Sequence, residues 1–384
     1  MLFRQLSAGT MKLRSNAFFA SPQVLLPGNR FMLLRRSSPR SIPLLMALAF
    51  SLLSLVGFHA RGQERYTIEK KAGRVDVLDQ GSLVTSYHFR SGSKPILWPL
   101  IGPDAKRFSR EYPMVPDSKD EEHDHPHHRS LWMTFGEINE FDLWAEGKGK
   151  GTVCQVGDPE IQAHSDRIVI RSNHLWKGGS KEVSSVSTEL QGGCSDSVPT
   201  LASCESTYVI RGNGEERIID CFYQLHAKMD LHFGDTKEGM FAIRVPEPMR
   251  ADKRGGHILS SEGRVDGATW GFPAKWVDYS GKTLRDDDKT YGIAILIHPD
   301  SYRSEGRWHV RTYGLFAHNP FGVKDFPKID NPPASDKVGG YHLESGESIS
   351  FAYRVILHRN AFDKSTGDSK WQSFAKAKIS ELAR

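Results

Sequence analysis

The sequence predicts an all-β protein, an antiparallel β-sandwich with one helix at its C-terminus. Beyond residue 64, short apolar or alternating segments recur, and Gly, Asp, Asn and Pro separate them. The segment YGIAILI at residues 291–297 is apolar throughout, as expected of a strand that is covered on both faces. Helical spacing of apolar residues occurs only near the C-terminus, so strands must supply the main layers of the fold.

The predicted strands follow one another along the chain. They cover residues 74–78, 83–89, 167–172, 205–210, 217–225, 240–245, 291–298, 309–317 and 348–357. Between Trp371 and Leu382, apolar residues recur at roughly helical spacing, which predicts a helix docked on the sandwich. The polar loops at 177–203 and 324–340 carry no linker signature, so we expect a single domain over residues 64–384.

The first 62 residues have the features of a secretory signal peptide. An uncharged, mostly apolar run spans residues 42–58, arginines precede it, and a small-x-small motif ends at Gly62. We expect cleavage after Gly62. The alternative is an uncleaved membrane anchor, although the run is slightly short for a span of about 20 residues. A start at Met32 would give a signal of more ordinary length. The predicted location is secreted or periplasmic, with no membrane contact beyond the leader.

Removing the leader changes the charge of the chain. Residues 1–62 hold eight of the 51 Lys and Arg residues and none of the 46 Asp and Glu residues, so the remainder carries a formal charge of −3. Such a chain has no basic surface for nucleic acid, and no nucleic-acid partner is expected. Four cysteines remain, of which Cys194 and Cys204 are the better disulfide pair; free buried thiols are the alternative.

Histidines are concentrated in the segment HDHPHHR at residues 123–129. If this backbone is extended, His123, His125 and His127 point to one side, where alternate imidazoles can bind a transition metal. In a second interpretation, His127 or His128 is a general acid or base, and Arg129 holds a polyhydroxylated or anionic substrate. A solvated loop without function is the third. We expect this histidine cluster to be functional and to need no cofactor. A divalent metal bound by His123, His125 and His127 is the alternative.

The segment GEINEFDLW follows at residues 136–144. Asp142 and Trp144 share one face if the chain is extended, with Asn139 nearby. An aromatic ring beside amide and carboxylate groups suits sugars, because CH faces stack on the ring while hydroxyls bond to the polar groups. The alternative is a hairpin in which Asn139 makes the turn and Trp144 enters the core.

Glu238 and Arg244 flank the apolar stretch at residues 240–243. A carboxylate at the entrance to a strand suits a general base, and Arg244 would pair with it or with a substrate. The alternative is a surface ion pair of little energetic value.

The segment HVRTYGLFAHNPF at residues 309–321 places polar side chains along a predicted strand. His309, Arg311 and Tyr313 would alternate onto one face and line a cleft, or else face water. His318 and Asn319 would end this strand in a turn.

Four segments in this order, DHPHHRSLWMTFGEINEFDLW, GDTKEGMFAIRV, KWVDYSG and HVRTYGLFAHNPFG, resemble the uncharacterised DUF6807 family. The resemblance runs from about Tyr66 to His358, and the family usually has Gly where this chain has Ser130. It implies a galactose-mutarotase-like β-supersandwich and, by analogy, a carbohydrate role, because members tend to be secreted by polysaccharide-degrading bacteria. Members often carry a methane oxygenase label. That membrane subunit needs several apolar spans of about 20 residues and this chain has one, so methane oxidation is excluded.

We therefore predict an exported β-supersandwich that binds a carbohydrate, or another polyhydroxylated small molecule, in a cleft on one sheet. The leading hypothesis is a hydrolase, lyase or epimerase with His127 and His128 as acid and base and Glu238 as the partner carboxylate. The residues predicted to position the substrate are Arg129, Asn139, Asp142, Trp144, Arg244, His309, Tyr313, His318 and Asn319. The alternatives are a non-catalytic sugar-binding module and a metal-dependent enzyme.

Overall fold

The computed structural model describes residues 65–179, 196–283, 288–330, 332 and 339–384. The predicted leader with the possible start at Met32, Cys194, and parts of both polar loops lie outside these ranges. In the described part of the chain, no helix is both long and apolar enough to cross a membrane.

Strands dominate the regular structure of the described residues. In chain order they are β1 (Tyr66–Lys71), β2 (Arg74–Asp79), β3 (Ser82–His88), β4 (Ile96–Leu97), β5 (Leu131–Phe135), β6 (Thr152–Ala163), β7 (Arg167–Lys177), β8 (Thr200–Gly212), β9 (Glu216–Ala227), β10 (Leu231–Phe233), β11 (Gly239–Arg244), β12 (His257–Ser260), β13 (Trp276–Gly281), β14 (Tyr291–Ile297), β15 (Arg307–Val310), β16 (Leu315–Asn319), β17 (Tyr341–Leu343) and β18 (Ser348–Arg359). Two helices, α1 (Lys364–Lys376) and α2 (Ile379–Leu382), follow the last strand. Single 3-10 turns lie at Pro103–Ala105, Glu247–Met249 and Asp266–Thr269.

The strands form two large antiparallel sheets and one small one. Sheet I has the order β1-β2-β3-β4-β5-β11-β16-β15, and sheet II the order β12-β13-β14-β18-β9-β8-β7-β6. The third sheet consists of β10 and β17 alone. The predicted antiparallel sandwich is therefore confirmed, and the two eight-stranded sheets give it the size of a supersandwich.

The main core lies between the inner faces of sheets I and II. Alternation along β5 sends Leu131 and Met133 into this core and Trp132 to the outer face of sheet I. Each fully buried aliphatic side chain of this kind contributes about 1.5–3 kcal/mol to folding. The alternation also leaves the outer face of sheet I available for other side chains.

Helix α1 covers the outer face of sheet II. Asp363 begins it, and its carboxylate accepts a hydrogen bond from the Thr366 amide at 2.7 Å. Phe374 packs with Ala294 and Leu296 of β14, which explains why that strand is apolar on both faces. The predicted C-terminal helix is confirmed, although the chain breaks it at residues 377–378 into α1 and α2.

The predicted strand at 309–317 is wrong, because these residues form a hairpin. β15 ends at Val310, and the Gly314 amide donates to the Arg311 carbonyl at 2.9 Å before β16 begins. Gly314 has φ of +105°, a backbone conformation that glycine adopts without strain. His309 and Tyr313 therefore do not share one face of a single strand.

The predicted disulfide between Cys194 and Cys204 is also wrong. Cys204 and Cys221 are free, buried thiols, and burial raises the pKa of Cys204 to about 12. Cys154 is disulfide-bonded. The free thiols are thus part of the core, where high pKa values keep them unreactive.

Buried histidines make the fold sensitive to acid. His318 is fully buried on the inner face of sheet I, where its Nδ1 lies 3.0 Å from the Tyr353 hydroxyl. Burial lowers its pKa to about 3, and burial lowers the pKa of His174 in β7 to about 4. Both side chains are therefore neutral in the folded chain at pH 5, while the unfolded chain protonates them below about pH 6.5.

We expect the free energy of unfolding to fall as the pH drops from about 6.5 to 4, because unfolding then takes up protons. His318→Leu should reduce the slope of this fall by up to about 1.4 kcal/mol per pH unit. Urea unfolding between pH 7 and pH 4 measures it, with His257→Leu at an exposed position as the control. Equal slopes in the two variants would contradict the assignment.

Candidate functional site

The outer face of sheet I carries an aromatic and charged cluster. Trp132 of β5, Ala242 of β11 and Ala317 of β16 form its floor, together with Trp144 from the segment after β5. The alanines leave room above the sheet, and the loop at residues 123–129 fills part of it. This loop, Tyr313 and the segment around Trp144 surround the candidate site.

The loop at 123–129 is a tight turn. The sequence-based expectation that His123, His125 and His127 point to one side assumed an extended backbone, so it does not hold. His125 has φ of +43°, and the His128 amide donates to the His125 carbonyl at 2.9 Å. Arg110 holds the turn in place, because its guanidinium donates to the Asp124 carboxylate at 2.6 Å and to the His125 carbonyl at 2.6 Å. Imidazoles from neighbouring positions therefore come together.

Four rings form a column on this face. The His125 ring stacks on Tyr313 at 5.4 Å on one side and on His128 at 4.7 Å on the other, within 8° of parallel in both cases. His128 in turn lies 5.5 Å from Trp132. The column runs from the exposed His125 and the partly buried Tyr313 down to the buried Trp132.

An ion pair at one edge of the column sets the tautomers of both histidines. Arg244 donates from Nη2 to Asp124 at 2.9 Å and 3.0 Å, and its Nη1 donates to Nδ1 of His128 at 3.1 Å. Arginine cannot accept a hydrogen bond, so Nδ1 of His128 is unprotonated and the neutral ring carries its proton on Nε2. Nδ1 of His125 lies 2.7 Å from Asp124. A carboxylate only accepts, so His125 carries its proton on Nδ1.

The charges around the column keep Asp124 ionised and His128 neutral. Burial favours a raised pKa for Asp124, but His125, Arg244 and Arg110 hold its pKa well below the ordinary value. Burial and the adjacent Arg244 lower the pKa of His128 well below its usual range. Among the described residues, no hydrogen bond reaches Nε2 of either His125 or His128.

His127 lies beside the column, with its ring 4.5 Å from His128 and nearly perpendicular to it. Burial, and after it the charge of Lys94, lowers its pKa to about 4. Lys94 is fully buried and donates to Glu146 at 3.0 Å, and Glu146 also accepts from Arg129 at 2.8 Å. The ion pair of Arg129 and Glu146 therefore lies next to His127, which is neutral near pH 7.

Two indole N–H groups at the bottom of the cluster have no partner. Nε1 of Trp132 and Nε1 of Trp144 are both buried and form no hydrogen bond within the described residues. The two indoles lie 5.1 Å apart, and His128 lies 5.5 Å from the first and 5.9 Å from the second. Unpaired buried donors cost folding free energy, so these two N–H groups depart from the usual pairing of buried polar groups.

Glu238 lies at the other end of the β5–β11 pair. It is opposite Gly136, four residues from Trp132 and so about 13 Å along the strand, and it pairs with Lys237 at 3.4 Å. Burial raises the pKa of Tyr313, the charges of Arg244 and Arg311 lower it, and Glu238 and Asp124 raise it by smaller amounts. His127 and His128 are thus adjacent, as predicted. The carboxylate beside them belongs to Asp124 and not to Glu238.

Four of the predicted substrate-binding residues have structural partners elsewhere. His309 bonds to the Lys237 carbonyl at 2.8 Å, and His318 faces the core. Asn319 accepts from the amides of residues 321 and 322, which closes a turn. Asn139 accepts from the His232 amide at 2.7 Å and donates to the Asp230 carbonyl at 2.8 Å. The hairpin interpretation of Asn139, with Trp144 buried, is the one that fits the structure.

Asp142 contributes to the site indirectly. Its Oδ1 accepts from the amides of Trp144 and Ala145 at 2.9 Å each, and its Oδ2 pairs with Lys150 at 2.8 Å. Asp142 therefore orients Trp144. Of the predicted positions, the structure brings together His127, His128, Arg129, Asp142, Trp144, Arg244 and Tyr313.

The predicted metal site on His123, His125 and His127 does not form. His123 stacks on Tyr112 at 4.4 Å, and its Nε2 lies 2.7 Å from the Ser118 carbonyl. In the described part of the chain, no group of three or more His, Cys, Asp or Glu side chains is arranged around a metal position. The rings of His125 and His127 lie 5.8 Å apart, but His123 is directed to Tyr112 and does not join them.

Sequence reasoning missed Asp124, Arg110, Lys94 and Glu146 as members of this site. Asp124 stands next to His125 in the sequence, which was the available signal for a carboxylate–imidazole pair. Lys94 and Arg110 come from distant segments and carry no local pattern. Two cavities lie elsewhere, one of 760 Å³ beside Trp371 and one of 370 Å³ beside Lys253.

Fold and site together define a two-sheet antiparallel sandwich with an imidazole cluster on one outer face. The chain belongs to the DUF6807 family, a family of unknown function, whose profile matches residues 74–372. No curated protein is similar enough in sequence to count as a relative.

Several solved structures align with part of this chain at low similarity. A candidate kojibiose phosphorylase from the human microbiome has 8% identity and a TM-score of 0.27, over 61% of this chain and 26% of its own. A galactose mutarotase related enzyme from Lactobacillus acidophilus has 9% identity and a TM-score of 0.26, over 76% and 97%. The GH36 α-galactosidase AgaA from Geobacillus stearothermophilus has 9% identity and a TM-score of 0.32, over 77% and 40%. The chain thus spans well under half of the phosphorylase and the galactosidase, and similarity at this level says nothing about activity.

Ser130 joins the histidine loop to β5. It has φ of +57°, it is fully buried, and its hydroxyl has no partner within the described residues. A side chain in this left-handed conformation costs roughly 1–2 kcal/mol. The backbone at this position therefore favours glycine, and this chain tolerates a strained serine.

Ser130→Gly should raise the free energy of unfolding by about 0.5–1 kcal/mol, because the relieved strain exceeds the entropy that glycine adds to the unfolded chain. Urea unfolding at pH 7 measures the change. The control is Ser172→Gly, at a buried serine within β7, which should lower the same quantity by about 0.5–1 kcal/mol. Destabilisation by Ser130→Gly would contradict the strain argument.

Proposed function

We propose that this chain is an enzyme that moves protons on a carbohydrate or another polyhydroxylated small molecule. The observation that carries the proposal is the pair of parallel imidazoles with opposite tautomers, His125 on Asp124 and His128 on Arg244. One ring offers a lone pair at Nε2 and its neighbour offers a proton at Nε2. Acid–base catalysis needs these two groups side by side.

The geometry directs both Nε2 atoms to the same side. The rings are within 8° of parallel, and both Nδ1 atoms meet the Asp124–Arg244 ion pair. The opposite edges of the rings therefore face away from that ion pair together. A substrate there would give up a proton to His125 and accept a hydrogen bond from His128.

His128 acts as a donor and not as a base. Arg244 occupies its lone pair at Nδ1, and its lowered pKa prevents a second proton near neutral pH. His125 is the base, since the ionised Asp124 stabilises the imidazolium that forms when it takes a proton. This assignment replaces the predicted acid and base, His127 and His128, with His125 and His128, and the predicted carboxylate Glu238 with Asp124.

The chemistry fits an epimerase or a lyase better than a glycoside hydrolase. Two-carboxylate hydrolysis requires one carboxylic acid to donate and one carboxylate to attack or activate water. Asp124 contacts two arginines, and Glu146 contacts Lys94 and Arg129, so both are held as ion pairs. The imidazole pair is the remaining route for proton transfer.

A sugar suits the surroundings of the pair. The exposed edge of His125 and the partly buried Tyr313 lie at the outer end of the column, where sugar hydroxyls can bond to the imidazole and the phenol. The predicted leader would deliver the protein to the periplasm or the outside, where free saccharides are available. We propose this exported location together with the function.

Turnover of a panel of aldoses, uronates and oligosaccharides, followed by NMR, tests the proposal. His125→Gln and His128→Gln should each lower turnover of any substrate found by about 10²–10⁴-fold, because each removes one proton-transfer group. His123→Gln, in the same loop but stacked on Tyr112, is the control and should retain turnover. If both variants bind a sugar as the unmodified chain does and no turnover occurs in any of them, the protein is a binding module.

The tautomers can be tested without a substrate. Long-range proton–nitrogen NMR of histidine-labelled protein at pH 7 should show the Nδ1–H form for His125 and the Nε2–H form for His128, with assignments from the two glutamine variants. Asp124→Asn should remove the preference of His125, since an amide can donate to Nδ1 as well as accept from it. One shared tautomer for both rings in the unmodified chain would overturn the proposed roles.

A further inference from the structure

A second pair of imidazoles lies on the small sheet, apart from the ring column. His232 of β10 and His342 of β17 are direct cross-strand partners, and both side chains are exposed. Their rings lie 4.4 Å apart, and the two Nδ1 atoms are separated by 3.2 Å. We propose that this pair binds a divalent transition metal ion through the two Nδ1 atoms.

The separation of the nitrogens fits a chelated ion. Zn²⁺ binds imidazole nitrogen at about 2.0–2.1 Å, so two nitrogens 3.2 Å apart subtend an angle of about 100° at the metal. That angle lies between square-planar and tetrahedral coordination, which Cu²⁺ and Zn²⁺ prefer. The two lone pairs can therefore converge on one ion without a large movement of either ring.

The backbone beneath the pair is held firmly. Leu231 and Phe233 on one strand and Leu343 on the other are buried, which turns the two histidines outward. Asn139 fixes the register of β10 through the His232 amide and the Asp230 carbonyl. The pair is thus presented by a rigid sheet, and binding requires little additional ordering.

Two protein nitrogens leave other positions of the metal to water or to an external ligand. The described residues place no third metal ligand in a group with this pair. Affinity should follow the order Cu²⁺ above Ni²⁺ and Zn²⁺, with Mn²⁺ weakest, as for other nitrogen sites. Ca²⁺ and Mg²⁺, which require oxygen ligands, should not bind here.

Isothermal titration calorimetry of the untagged full-length chain with CuCl₂ and ZnCl₂ tests the site. We expect one Cu²⁺ at this site. His232→Ala and His342→Ala should each lower the affinity for Cu²⁺ by about tenfold to a hundredfold, because one remaining nitrogen cannot chelate the ion. The double variant should bind no Cu²⁺ at this site, because neither nitrogen remains. His257→Ala, at an exposed histidine whose Nδ1 lies 3.0 Å from Asp266 and which belongs to neither imidazole group, is the control and should bind as the unmodified chain does.

Two results would overturn this site. Unchanged Cu²⁺ affinity in His232→Ala and His342→Ala excludes the pair, as does the absence of binding to the unmodified chain. Loss of binding in His127→Ala instead would assign the ion to the histidine loop. Because the imidazole column is unchanged in the two single variants, turnover and tautomer measurements remain independent of this outcome.

Discussion

The ion pair between Asp124 and Arg244 determines the arrangement of the candidate site. Arg244 and Arg110 are almost fully buried, with side-chain exposures of 2% each, and both donate to the same carboxylate. Removing one member of such a group leaves an unpaired buried charge, at a cost of about 3–5 kcal/mol. The same carboxylate and guanidinium orient His125 and His128. Stability of the loop and protonation of the imidazoles therefore depend on one set of contacts.

Two histidines three positions apart thus acquire different chemistry from their partners. A donor facing Nδ1 makes one ring a proton donor at its far edge, and an acceptor facing Nδ1 makes the other ring a base. The difference comes from the partner residues and not from the imidazole rings, which are chemically the same. One partner, Arg244, lies in a strand more than a hundred residues later in the chain. Roles of this kind are set by tertiary contacts.

Local pattern was sufficient for most of the fold and for the loop at which the candidate site is proposed. Alternation and apolar runs located β7, β9, β14 and β18, because burial on one or both faces of a strand repeats along the chain. The density of histidines located the loop at 123–129. The partners of that loop were not predictable, since Lys94, Arg110 and Arg244 reach it only through the sheet order β4-β5-β11 and the connections around it. The prediction that alternate residues share one face was wrong at His125 and at residues 311–314, because the backbone is not extended there.

The two outer faces of the sandwich have different coverings. The C-terminal helices and two apolar clusters cover part of the outer face of sheet II, whereas loops and turns surround the cluster on sheet I. Loop residues change with little effect on a core that lies on the other side of the sheet. Relatives with the same sandwich can therefore differ in ligand by altering only the rim around Trp132, and shared architecture in this family need not mean a shared substrate.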